Sequence, residues 1–105
     1  MLFRSEKRKP HYPLSEIKSA FADPALLNRT YSSKSGADDL GLDDHEVVAI
    51  IQALALADFE KSMTSMADHK IWQDVYMPLH DGRTLYVKFT LNALKALLLI
   101  SFKEA

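Results

Sequence analysis

Hydrophobic and polar positions alternate most cleanly between Thr84 and Leu91. Leu85, Val87, Phe89 and Leu91 interleave there with Thr84, Tyr86, Lys88 and Thr90. A period of two is that of a half-buried strand, and it sets Tyr86 and Lys88 together on the face away from the core. Just upstream, Met77-Pro78-Leu79-His80 leads to Asp81-Gly82, a turn dipeptide whose glycine tolerates positive φ. The region therefore reads as a hairpin. A second turn around Asn92 to Lys95 leads into a strand from Ala96 to Lys103. By alternation, Leu98, Ile100 and Phe102 share one face of it, and Leu97, Leu99, Ser101 and Lys103 the other. With the first set in the core, Lys103 projects on the opposite side. Both faces are largely apolar, which predicts a central strand covered by helix on at least one side.

The first half carries helical spacing instead. Leu14, Ile17 and Phe21 mark one face of a first helix, which stops near Asp23-Pro24. Residues 28–33 read as a short edge strand or a loop, and residues 34–42 as a turn-rich connection. A second helix begins at Asp43 or Asp44, where Asp43 and Glu46 have capping-box spacing. Val47, Ile50, Ile51 and Leu54 then form its core-facing stripe. Asp38, Asp39, Asp43, Asp44 and Glu46 do not match the oxygen spacing of an EF-hand loop, and capping accounts for them better than calcium.

Phe59, Met63 and Met66 also recur at helical spacing, which predicts a helix over Asp58 to Met66. Lys61 lies about 200° around from Phe59 and so points away from that stripe. The short polar joint Ala67 to Lys70 leads into a strand from Ile71 to Tyr76. Trp72, Asp74 and Tyr76 share one face of it, and Gln73 takes the other. Asp74 needs a partner that the sequence does not name. The order is helices first, then three antiparallel strands. That is an α+β domain, with the helices on one face of the sheet and Gln73, Tyr86, Lys88 and Lys103 on the other.

Composition narrows the class. At 105 residues and 48% hydrophobic, residues 1–105 make one domain with one core, with a radius of gyration of about 13 Å. No apolar run approaches the roughly 20 residues of a membrane span. The N-terminal MLFRSEKRKPHYP is charged and lacks a following apolar stretch, so no secretory signal is expected and the cytoplasm is the default. The absence of cysteine excludes disulfides, thiolate metal sites and cysteine nucleophiles. The four histidines show no metal-ligand spacing, and no phosphate-binding glycine loop is present. The net charge of -1 hides an asymmetry: basic residues cluster in 1–18 and acidic ones in 23–46. Residues 1–12 read as a flexible basic arm. A local basic surface is enough to hold nucleic acid despite a near-neutral total.

Lys61, Gln73, Tyr86 and Lys103 converge if the strands pair in order. Cleavage of RNA through its own 2′-OH needs a base, positive charge for the phosphorane and a proton for the leaving oxygen. Tyrosine and lysine can fill those roles, and two neighbouring lysines favour one neutral amine. Glutamine can orient a phosphate oxygen or a base edge. Lys88 and Arg83 are further candidates for RNA contact. Spacing alone does not distinguish this set from scattered surface residues.

The segments EKRKPH at 6–11, DFEKSMTS at 58–65, DHKIWQDVY at 68–76, LYVK at 85–88 and SFKE at 101–104 resemble the MqsR family of bacterial toxins, in order and approximate spacing, over nearly the whole chain. The resemblance implies a RelE-like α+β fold and a type II toxin–antitoxin system. It implies an mRNA interferase that cuts single-stranded mRNA at GCU-type sites without metal or other cofactor. It also implies a cognate MqsA-like antitoxin, zinc-containing and DNA-binding. Its active-site residues carry over onto Lys61, Gln73, Tyr86 and Lys103. The chain departs from the pattern in starting a few residues earlier and in a slightly longer segment between Tyr86 and Lys103, which leaves the register of Lys103 open. The alternative is a non-catalytic, partner-binding module derived from such a toxin. A decayed copy of that kind should have lost at least one of the four residues.

Overall fold

A computed structural model describes residues 5–105. Three helices, α1 (Leu14–Ala20), α2 (Tyr31–Asp39) and α3 (Asp44–Gln52), cover one face of a six-stranded antiparallel sheet. The strands are β1 (Glu6–Lys7), β2 (Phe59–Thr64), β3 (Trp72–Tyr76), β4 (Leu79–His80), β5 (Arg83–Leu91) and β6 (Leu97–Glu104). This is the expected α+β architecture, built largely from the C-terminal half. The core lies between the layers. Ile17 and Phe21 from the α1 end, Ala37 from α2, and Val47, Ile50 and Ile51 from α3 pack on Tyr76, Leu85, Val87, Phe89, Leu99 and Phe102. The radius of gyration is 13.1 Å. Among the described residues, no helix is long and apolar enough to cross a membrane.

The hairpin forms as the alternation predicts. Tyr76 faces Val87 in β5 and Leu79 faces Thr84, three residues further along each strand, so β3 and β4 are one hairpin arm interrupted at Met77-Pro78. Asp81 and Gly82 both have positive φ, 50° and 78°, as a two-residue turn between twisted strands requires. The capping box at α3 is also present: Glu46 N–H donates to Asp43 Oδ1 at 2.8 Å and Asp43 N–H to Glu46 Oε1 at 3.1 Å.

Four expectations are corrected. The segment from Phe59 is not a helix but strand β2, antiparallel to β3. Its helical spacing is produced by a bulge. Phe59 faces Tyr76 and Lys61 faces the very next residue, Val75, so Glu60 is the extra residue. Second, residues 31–39 are a helix rather than loop and connection. Thr30 caps α2 by accepting from Ser33 N–H at 3.2 Å. Gly41, at φ 73°, ends it in a Schellman turn with Gly41 N–H to Asp38 O and Leu42 N–H to Ala37 O.

Third, β6 pairs only with β5 among the strands, so it lies at an edge instead of the centre. Residues 28–30 cover that edge: Thr30 N–H donates to Leu99 O and Leu99 N–H to Asn28 O. Fourth, Leu99 and Phe102 are the fully buried residues of β6, whereas Leu98 and Ile100 are half-buried. Phe89 faces Leu99 while Lys88 faces Ser101, which leaves Ile100 as a second bulge residue.

The segment expected as an arm is docked from Ser5 onward; residues 1–4 lie outside the described residues. β1 pairs with β2, and Asp74 supplies the anchor. Its carboxylate accepts from Tyr12 N–H at 2.8 Å, His11 N–H at 3.2 Å and the Ser62 hydroxyl at 2.6 Å. Asp74 is fully buried, and these are the partners its place on the core face demanded. Tyr12 also donates through its hydroxyl to Trp72 O at 2.6 Å.

Gly36 sets the distance between α2 and β6. A Cβ there would fall well inside contact with the Phe102 carbonyl oxygen, and 3.4 Å from Lys103 Cβ. Alanine usually stabilises a helix interior by about 1 kcal/mol over glycine. Here the obstacle is backbone, which no rotamer change can move aside, so overpacking of about 1–3 kcal/mol should win. Gly36→Ala is expected to lower the urea midpoint of unfolding; a rise would show that the helix can step back freely.

The Tyr76 hydroxyl is buried with no hydrogen-bond partner among the described residues. Burial, and secondarily the nearby Asp74 carboxylate, pushes its pKa up to about 12. Above pH ~10 the unfolded chain releases this proton and the native state does not. Stability should therefore fall from about pH 10 to about 12. Tyr76→Phe is expected to be neutral or stabilising at pH 7, because it removes an unsatisfied polar atom. It should also flatten the alkaline loss of stability in urea melts.

Candidate active site

The sheet face opposite the helices is built row by row from cross-strand pairs. In one row Lys61 faces Val75, Val75 faces Lys88, and Lys88 faces Ser101. In the row nearer the hairpin turn, Tyr86 faces Lys103 directly. In the row on the other side, Gln73 faces Met63, and Met63 faces Glu6 of β1. With neighbouring strands about 4.8 Å apart, Lys61 and Lys88 stand roughly 10 Å apart across Val75.

The four residues expected to converge, Lys61, Gln73, Tyr86 and Lys103, thus share one open face with Lys88. The register of Lys103, left open by the longer segment before it, is fixed opposite Tyr86. The turn before β6 is closed by Asn92, whose side-chain oxygen accepts from Leu94 N–H at 2.9 Å and Ala96 N–H at 3.0 Å. Arg83 does not join them. It lies at the turn end of β5, on the side of Leu85 and Val87 by alternation, with its Nε 4.0 Å from Glu104.

Packing holds these polar side chains up. Val75 is fully buried and Met63 nearly so, yet neither belongs to the core under the helices. Both therefore lie beneath the polar side chains of the open face. The Lys88 and Lys103 ammonium groups stand 5.7 and 5.6 Å from the centroid of the Tyr86 ring. Both distances are within cation–π range. Lys61 Nζ lies 3.6 Å from Glu6 Oε1. Three cations and one carboxylate leave the face positive, whatever the net charge of the chain.

Sequence reasoning missed Glu6 and Ser101. A two-residue strand such as β1 has no periodicity to detect; alternation set Ser101 on the Lys103 face, but only the pairing register puts it opposite Lys88. Trp72, half-buried against the core, is also covered by the N-terminal segment. The His11 ring stacks on it at 5.2 Å with an interplanar angle of 16°, and Lys7 Nζ lies 4.3 Å from its centroid. Burial first, then Lys7, hold His11 below the ordinary imidazole pKa against the opposing pull of Asp74. The neutral ring can then accept from Lys7 Nζ at 2.8 Å through Nδ1. No group of histidine, aspartate and glutamate that could hold a metal occurs among the described residues.

A positive, shallow face with a phenol between two ammonium groups suits an anionic substrate whose charge grows in the transition state. Comparison with known proteins bears on which substrate that is. Residues 9–104 match the family model described as motility quorum-sensing regulator, toxin of MqsA. The chain is also 41% identical over 99 residues to the mRNA interferase toxin MqsR of Escherichia coli (strain K12), covering 94% of this chain and 98% of that protein. On both grounds the chain belongs to the MqsR toxin family.

Proposed function

We propose that this protein is the toxin of a toxin–antitoxin pair, and that it is an endoribonuclease cutting single-stranded mRNA at GCU-type sites through the RNA's own 2′-OH. The observation that carries the reading is the gathering of Lys61, Gln73, Tyr86, Lys103 and Lys88 on one open, positive face. The Escherichia coli relative named as an mRNA interferase supports the substrate class. In the reaction the 2′-oxygen attacks the adjacent phosphorus and the P–O5′ bond breaks. The products are a 2′,3′-cyclic phosphate and a 5′-hydroxyl. One proton leaves the 2′-oxygen for a base on the protein, and another passes to the departing 5′-oxygen. The lysines counter the charge that builds on the phosphorane. In this reading Tyr86, whose ring two of them approach, hands on a proton, and Gln73 orients a phosphate oxygen or a base edge. The chemistry needs no metal.

The partner follows from the family, described as toxin of MqsA. The reading is that an MqsA-like antitoxin, zinc-containing and DNA-binding, sequesters this protein. The deciding experiment incubates purified protein with a GCU-containing single-stranded RNA in EDTA. The expected products end in a 2′,3′-cyclic phosphate. RNA left intact by folded protein would remove the enzymatic reading and favour a partner-binding module.

A further inference from the structure

Beside Lys103 the open face does not end. It drops into a groove of about 380 Å³ between β6 and α2. One wall is Ser101, Phe102 and Lys103; the other is Tyr31, Ser32, Ser35 and Asp39. The volume lies at the small-molecule end of binding sites, right for one flat group and too small for a helix. Its width is fixed, because Gly36 brings the α2 backbone against the Phe102 carbonyl and Lys103 Cβ.

The side chains of α2 divide by partner. Ser33 bonds back to the Thr30 carbonyl, and Lys34 pairs with Asp38. The groove-lining Ser32, Ser35 and Asp39 have no side-chain partner among the described residues. Tyr31 stands at the rim with 86% of its surface exposed, its backbone held by the Thr30 cap. The groove is thus polarised: Lys103 on the strand wall, with its ammonium toward Tyr86, a carboxylate on the helix wall and a bare aromatic ring at the mouth. A phosphate would be drawn to Lys103 and repelled by Asp39. A base edge bearing an amino group would be accepted by Asp39, as carboxylates accept from cytosine N4. A ring at the mouth offers a stacking face.

We infer that the α2–β6 groove is a nucleobase subsite: it takes a base next to the scissile phosphate, stacks it on Tyr31 and reads its amino edge with Asp39. The inference rests on the RNA-cleaving reading of the open face and adds to it a determinant of sequence preference.

The test uses two readouts. The first is binding of a short 2′-O-methylated, uncleavable RNA, which does not depend on cleavage. Tyr31→Ala should weaken that binding roughly 5- to 150-fold, the range for loss of one base–aromatic stack. Tyr31→Phe should retain it. The second readout is kcat/KM on a set of cleavable RNAs varied at the bases flanking the cut. Asp39→Asn should change which flanking base is preferred. Wild-type binding by Tyr31→Ala, or an unchanged flanking preference in Asp39→Asn, would overturn the subsite. If wild-type protein binds the RNA through Tyr31 but cuts none, the cleavage reading fails and the subsite stands.

Discussion

Asp74→Ala should cost the domain about 3–5 kcal/mol, because three donors lose one acceptor at once. Tyr12 N–H, His11 N–H and the Ser62 hydroxyl all converge on that carboxylate, in a site with no exposure. Each hydrogen bond to a charged group contributes on the order of 1.5–3 kcal/mol, and a buried donor left unpaired is costlier than one never buried. The hydroxyl can rotate toward another acceptor, which keeps the total below the sum. Two backbone N–H groups cannot. Against a usual stability of about 5–15 kcal/mol, the loss leaves a marginal fold. Ser62→Ala should cost a smaller share, roughly 1–3 kcal/mol. Urea unfolding followed by tryptophan emission suits the measurement, since Trp72 is the only tryptophan and lies against His11. A midpoint in Asp74→Ala equal to that of the wild type would mean that the N-terminal segment is held by something else.

Tyr86→Phe should lower the rate constant for RNA cutting by about 10²- to 10⁴-fold, the usual worth of a positioned proton donor or acceptor. The change leaves the ring, and so the two flanking lysines keep the surface they pack on. Only the hydroxyl is lost. Lys61→Ala should act similarly on rate by removing positive charge from the phosphorane. Lys61→Gln, which removes the charge and keeps much of the stem, is the cleaner companion. Unfolding free energies from urea melts should stay within about 0.5 kcal/mol of wild type for Tyr86→Phe and Lys61→Gln, as for other changes outside the core. Single-turnover cutting of a GCU-containing RNA reads the rate without product release. Undiminished cutting by either conservative variant would strip that residue of its proposed role. Loss of folding would contradict its place on the open face.

The elements legible in the sequence were those with an unbroken period. β5 alternates without interruption up to Lys88, and its inward set, Leu85, Val87 and Phe89, is buried as expected. α3 announces itself through a capping box and a stripe. β2 and β6 were misread for the same physical reason. A bulge residue, Glu60 in one and Ile100 in the other, advances the chain by one position and inverts the alternation beyond it. In β2 this made Phe59 and Met63 look helical. Lys61 still ends on the face away from Phe59, since the bulge separates the two as a helix would have. α2 was missed because it contacts the sheet through Ser33, Gly36 and Ala37 rather than large apolar residues. No stripe exists to be seen. Within the site, the resemblance named four residues and the pairing register set them on one face. The Glu6 contact and the α2 wall had no one-dimensional signature at all.

The order of the strands along the chain also orders their appearance during synthesis. β6 comes after the other described strands, and it supplies Lys103, one neighbour of Tyr86 and the surface on which Gly36 seats α2. A nascent chain that has reached only the Asn92 turn already holds Lys61, Gln73 and Tyr86. It has no partner for the outer edge of β5 and no strand wall for the groove. On the proposed reading, a chain that stops at that turn would lack one of the four site residues and should cut RNA poorly until β6 has paired.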